Sequence, residues 1–238
     1  MADPMNYFNP TAAAGAAARD EGLRRYMLGI YRNMGLGLLL TGAVAALVAS
    51  SPALVALIFG TPLKWVAMLA PLAFVFFFTF RIERMTTAGA WTAFFAFAGV
   101  MGLSMASIFL VFTATSIAGA FFAASAIFLG MSLWGYTTKA DLTRFSTFLF
   151  VGLIGVVGAS LVNLFIGSGT LQMVLSIAGI LVFTGLTAWD TQRLKSEYLA
   201  YAGTQATEKL AVMGALSLYL NLINLFQLLL SLFGQQEE

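Results

Sequence analysis

The stretch Leu171-Gln-Met-Val-Leu-Ser-Ile-Ala-Gly-Ile-Leu-Val-Phe-Thr-Gly-Leu-Thr-Ala-Trp189-Asp190-Thr-Gln-Arg193-Leu-Lys195 sets nineteen uncharged residues, 171–189, directly before a carboxylate. At 1.5 Å per residue, a helix over those nineteen covers about 28 Å, close to the thickness of a bilayer's hydrocarbon core. The segment therefore reads as a membrane span with an acid at its end. Two readings of Asp190 follow. Either it sits in the headgroup region with Arg193 one turn away, or it is a functional acid inside the membrane. Backbone carbonyls near a helix end disfavour an anion, so the second reading requires a compensating partner. Segment 210–234 offers one, because it carries no charge yet places Ser217, Asn221, Asn224 and Gln227 at helical spacing.

The whole chain has the same character, with 60% apolar and 9% charged residues, far below the charged share of a soluble domain. The expected class is an all-α integral membrane protein. Further spans are expected at about 33–59, 65–80, 88–112, 117–136 and 145–166, which with the two segments above makes seven. The Ser50-Ser51-Pro52 step is expected to bend the first near its outer end. In the fifth, Gly152, Gly155 and Gly158 recur every three residues, a spacing expected to let a neighbouring helix approach closely. The Phe-rich stretch 75–80 is expected to face lipid or to pack broadly. Residues 1–22 read as a flexible cytoplasmic tail rather than a signal peptide, since the Ala tract precedes Arg24 and Arg25; residues 23–238 form a single membrane domain.

Loop charges set the expected orientation. Arg19, Arg24, Arg25, Arg32, Arg81, Arg84, Lys139, Arg144, Arg193, Lys195 and Lys209 fall on one side, and Lys64 alone on the other. By the positive-inside rule the N-terminus is cytoplasmic and the C-terminus outside. Trp65, Trp91, Trp134, Tyr136 and Trp189 lie near span ends, where interfacial anchors belong.

With no cysteine and no histidine, thiolate chemistry, the Ser-His and Cys-His pairs and a histidine pH switch are excluded. The spans hold Asp190 but no second aspartate or GxGD sequence, and P-loop, GxGxxG and HExxH patterns are absent. The chain is not expected to be an enzyme, to carry a cofactor or to bind nucleic acid. Arg81, Glu83 and Arg84 at the inner end of the second span read either as topology determinants with a local ion pair, or as a source of one arginine that reaches Asp190 and closes the inner mouth of a cavity.

Gly185-Leu-Thr-Ala-Trp-Asp190-Thr-Gln192, then Gly214-Ala-Leu-Ser-Leu-Tyr-Leu-Asn221-Leu-Ile-Asn-Leu-Phe226 and the closing Leu-Leu-Leu-Ser-Leu-Phe-Gly234, resemble the Bax inhibitor-1 family, also called the transmembrane Bax inhibitor motif family, in its bacterial branch. Gly102-Leu-Ser-Met-Ala-Ser-Ile108 fits more weakly. The resemblance implies seven helices with the last one central and wrapped by the other six, in a bacterial inner membrane. It also implies a pH-sensitive calcium leak in which an aspartate of the sixth helix and another of the seventh share a proton, while an arginine of the second helix helps close the pore. Carried over by motif, the first acid is Asp190, the arginine is Arg84, and the second acid falls on Asn221. An amide cannot repel Asp190 as a second carboxylate would, so pH sensing is expected to be weakened, and calcium binding with it. Trp189 replaces the tyrosine that many relatives carry. The expectation is a passive calcium or cation leak with Asp190 as a possible calcium and proton site and Asp190, Asn221, Arg84 and Asn224 at the pore or gate. The alternative is a non-transporting regulator of stress response or membrane-protein quality control, acting through a membrane-protein partner.

Overall fold

The structure, a computed structural model, describes residues 10–235 and is helical throughout, with no β-sheet among the described residues. Nine α-helices follow in order: α1 Pro10–Ala49, α2 Pro52–Phe59, α3 Leu63–Arg81, α4 Thr87–Met105, α5 Ile108–Val111, α6 Ala114–Thr137, α7 Ser146–Ile166, α8 Gly169–Tyr201 and α9 Gln205–Phe233. Short 3-10 turns at Ile82–Arg84 and Leu142–Phe145 follow α3 and precede α7. Among the described residues seven segments are long and apolar enough to cross a membrane: Ala18–Ala49, Leu63–Arg84, Thr87–Val111, Ala114–Thr137, Leu142–Ile166, Gly169–Tyr201 and Ala206–Phe233.

Sequence chemistry accounts for the helix boundaries. The bend expected at Ser50-Ser51-Pro52 is a complete break. Proline has no N–H to continue the α1 ladder but suits a first turn, and Ser51 caps α2 by accepting the Leu54 N–H. The stretch expected to be a tail is instead helical from Pro10, as its alanines, the best helix formers, favour; residues 1–9 lie outside the described residues. The α7–α8 hairpin closes at Gly167, whose φ of 68° is the left-handed conformation that glycine adopts without a Cβ penalty. Asn163 braces this turn by accepting from Ser168 N–H at 3.1 Å and donating to its carbonyl at 3.2 Å.

The last helix is the centre of the bundle. α9 has 56% of its apolar window buried, against 11% for α7, and it packs on α1, α4, α6 and α8. The expected wrapping by all six neighbours is carried mainly by these four, while α3 packs chiefly on α4 and α7 on α8. Tyr219, fully buried near the middle of α9, meets Phe94 and Phe97 of α4 edge-on at centroid distances of 5.8 and 5.7 Å. Its hydroxyl lies 2.7 Å from Thr41 Oγ1 of α1, and that oxygen is 2.8 Å from the Ala98 carbonyl of α4. Tyr219 donates to Thr41 and Thr41 to a carbonyl, so one chain of hydrogen bonds ties three helices. At the C-terminal end of α9, Thr113 N–H donates to Gln235 O at 3.0 Å and Gln235 N–H to Ser116 Oγ at 2.9 Å, holding the end of α9 to the start of α6.

Lipid tails are as apolar as leucine, so helices associate through close packing and scattered polar contacts rather than hydrophobic burial. Close approach falls at different glycines from those expected. A Cβ at Gly155 or Gly158 would meet nothing within 4 Å, and at Gly152 only Val182 at 3.0 Å. A Cβ at Gly135 of α6, by contrast, would overlap the Ala188 backbone of α8, and one at Gly102 of α4 would sit 2.7 Å from the Thr41 carbonyl. The Phe-rich end of α3 divides: Phe78 is buried, whereas Phe76, Phe77 and Phe80 face outward.

Gly135→Val should therefore force α6 from α8 and destabilise the bundle by at least the ~1–3 kcal/mol of an overpacked core. Gly158→Ala should stay within about 1 kcal/mol of the parent or gain from better helix propensity. Thermal unfolding of both variants in one detergent tests the contrast; equal melting temperatures would remove the α6–α8 seam as a structural constraint.

Candidate functional site

Asp190 lies eleven residues before the end of α8 at Tyr201, in the helix interior, so the helix-end penalty expected for it does not apply. At about 1.5 Å per residue α8 is roughly 50 Å long and outreaches a ~30 Å hydrocarbon core, which puts Asp190 at the depth of the core's boundary. It is nonetheless only 3% exposed, because α9 covers it. The headgroup reading thus has the right depth and the wrong surroundings.

The carboxylate is satisfied by α9 on one side and by its own helix on the other. Asn221 Nδ2 donates to Asp190 Oδ2 at 2.7 Å, and Ser217 Oγ donates to the same oxygen at 3.0 Å. Both donors belong to the polar stripe of α9, one helical turn apart. Asp190 Oδ1 is 2.8 Å from Arg193 Nη2, a close ion pair whose N–H groups are not aligned for a hydrogen bond. Arg193 also covers the Trp189 ring at 4.9 Å and lies 3.7 Å from Glu197. A carboxylate enclosed away from water needs charge balance as well as donors, and interhelical hydrogen bonds average only ~0.6 kcal/mol each. Arg193 supplies that balance.

Arg84 is not the cation at this site. It lies exposed in the 3-10 turn after α3, a turn packed on α3, and the ion pair of Asp190 is with Arg193. Arg193 reaches Asp190 along one helix without any interhelix span, which is why it takes the position expected for Arg84. Arg81 rests against Phe77 at 5.9 Å. Asn224, also expected at the site, turns back to donate to the Leu220 carbonyl of its own helix at 2.8 Å and is half-buried. Further out, Leu228 packs where a Cβ at Gly179 would stand 2.8 Å away, and beyond it Gln172 Nε2 donates to Ser231 Oγ at 3.1 Å. Polar groups thus lie on both sides of an apolar layer between α8 and α9.

Residues flanking Asp190 fix its helix to α6 and to the α6–α7 loop. Thr191 Oγ1 is 3.0 Å from Ser132 of α6, whose hydroxyl also meets Tyr31 of α1. Gln192 accepts from Leu142 N–H and donates to the Ala140 carbonyl, each at 2.8 Å, clamping the loop between α6 and α7. In that loop Asp141 caps the Thr143 N–H at 2.9 Å, which holds its carboxyl below the usual carboxylate range. Gln192, Ser132 and Glu197 hold positions at the site that composition and run length do not mark. Glu197 was findable, since 190, 193 and 197 are one helical face once α8 is continued past Asp190.

No group of three or more acidic side chains that could enclose a metal ion occurs among the described residues. Asp190, Ser217 and Asn221 carry oxygens on one side only, short of the six to eight oxygens of a calcium-storing site.

A family model described as "Inhibitor of apoptosis-promoting Bax1" matches residues 23–238. A Rickettsia prowazekii protein is 44% identical over 219 residues, covering 92% of this chain and 93% of its own. The Escherichia coli inner membrane protein YbhL is 41% identical over 218 residues, covering 90% and 93%. A membrane protein of Streptococcus pyogenes is 35% identical over 220 residues, covering 92% and 96%. With seven apolar helices and likeness along nearly its full length, the chain belongs to the Bax inhibitor-1 family of integral inner-membrane proteins.

Proposed function

We propose that the protein is a passive cation leak, with calcium as the expected ion, closed in the present conformation and weakly responsive to pH. The observation that carries this reading is a buried carboxylate, Asp190, facing the polar stripe of the central helix and held by a guanidinium it must release before binding another cation. Arg193 would act as the resident counter-ion. A calcium ion reaching the seam would exchange with it, taking Asp190 together with the oxygens of Ser217 and Asn221, while Glu197 retains Arg193 close by. Protonation of Asp190 would remove the charge both cations seek. The Leu228 layer fits a hydrophobic constriction that conducts only when wetted. The basic loops favour placing the Asp190 end on the cytoplasmic side.

A non-transporting regulator is the second reading. It is favoured by the length of α8, whose polar end projects past the hydrocarbon and offers a surface for a membrane-protein partner.

Reconstituted in liposomes, the parent should release calcium faster than empty vesicles. Arg193→Gln, which frees the carboxylate, should raise that flux severalfold, while Asp190→Asn should lower it by about tenfold, the scale of ~1.4 kcal/mol at a transit site. Flux equal to that of empty liposomes at every pH from mildly acidic to neutral, with a stoichiometric membrane partner on co-purification, would decide for the regulator.

Asn221→Asp places a second carboxylate within reach of the first, and two such groups cannot both ionise freely. Its flux should vary between pH 5.5 and 7.5 by more than the parent's. An unchanged profile removes the Asp190–Asn221 contact as the basis of pH response.

A further inference from the structure

Between α1 and α6 lies a groove of about 940 Å³ that the leak reading does not use. The two helices stand apart here, each resting on α9, and Ile223 and Phe226 of α9 belong to the lining. The walls are almost wholly apolar, with Leu38 and Ala45 on α1 and Ile117 and Phe121 on α6. Gly35 and Gly42 also line it, and a Cβ at either would meet nothing within 4 Å, so neither glycine serves helix packing. Thr41 is a polar residue along the wall, and one end carries Tyr31 and the charged Arg32.

Arg32 distinguishes this groove from general lipid contact. Arg24 and Arg25 on the same helix both pair with Glu21, at 3.8 and 3.4 Å, whereas Arg32 is exposed and has no ion-pair partner among the described residues. It stands just before the uncharged stretch 33–63, at headgroup level. From Arg32 to Ala45 the groove runs about 20 Å along α1, from the headgroups past the midplane of a ~30 Å core. Its length and apolar walls match extended hydrocarbon chains laid along α1, and its one guanidinium stands at the end where a headgroup would lie.

We infer that the α1–α6 groove is a binding site for an anionic phospholipid, with its acyl portion against α9 and its phosphate paired with Arg32. A guanidinium matches a phosphate in two parallel hydrogen bonds, and a basic side chain beside a pocket between membrane helices attracts anionic headgroups. Tyr31 at the same end reaches Ser132, which meets Thr191 beside Asp190, so the residue next to Arg32 lies two hydrogen bonds from the acid's helix. The site stands independently of ion conduction.

The test uses the purified full chain in detergent, titrated with phosphatidylglycerol or with phosphatidylcholine of the same acyl chains and read by native mass spectrometry. One phosphatidylglycerol should bind at least about fivefold more tightly than phosphatidylcholine, and Arg32→Gln should remove that difference, the contribution of one basic residue near an anionic lipid. Arg32→Lys should keep most of it. Gly42→Leu, which adds bulk to the groove at a position where a Cβ meets nothing within 4 Å, should weaken both lipids severalfold; Gly35→Leu serves the same purpose should the first variant not elute as a folded species. Equal binding of the two lipids, or unchanged binding in Arg32→Gln and the filled variants, overturns the inference. So does a dimer that Gly42→Leu dissociates while lipid binding stays as it was, because a second copy would then cover the groove.

Discussion

The arrangement turns on one constraint: a carboxylate at the membrane boundary must be enclosed without being left alone. Asp190 meets it with one cation from its own helix and two neutral donors from α9. Neutral donors orient the group, and Arg193 balances its charge. Since the donors and the cation use different oxygens, Arg193 can leave while Asn221 and Ser217 keep the carboxylate in place. Close α6–α8 packing then seals the enclosure, because Gly135 lets α6 lie on the backbone of Ala188, two residues from the acid.

A second set of contacts keeps α9 central. The Tyr219–Thr41–Ala98 chain and the aromatic edges of Phe94 and Phe97 bind α9 to α1 and α4, on the side away from Asp190. These links are short and buried, so this half of the bundle resists sliding. Across α9 the contacts to α8 are polar at both ends, with the Leu228 layer between them. The two halves differ in kind: one is fixed by an aromatic clasp, the other by hydrogen bonds that can exchange partners.

Much of the fold was legible because composition and run length constrain membrane helices strongly, and the seven spans follow from the apolar runs alone. The α9 stripe was legible too, since polar side chains in an uncharged span must face protein. Which glycines permit close approach was not legible. Gly135 and Gly158 look alike in an apolar run, and the difference between them lies in the rotation of each helix, which periodicity does not set when every face is apolar. The cation at Asp190 was misassigned to Arg84 because a motif carries residue types but not reach, whereas Arg193 needed only the helix to continue. The break at Pro52 was underestimated as a bend, although the preceding serine is a ready cap.

The unbroken course of α8 has a mechanical consequence. No proline interrupts it, and no glycine occurs between Gly185 and its end at Tyr201. Roughly 30 Å of the helix lies at membrane depth and the remainder extends outward, with Asp190 close to where the two meet. Past Asp190 the rod is anchored, by Thr191 to α6, by Gln192 to the α6–α7 loop, by Lys195 to the Tyr136 carbonyl and by Tyr198 to Tyr26 of α1, so a shift in any of these neighbours turns the helix where its carboxylate meets the donors on α9. Anything that pulls on residues 191–201 therefore has leverage on the acid without touching it.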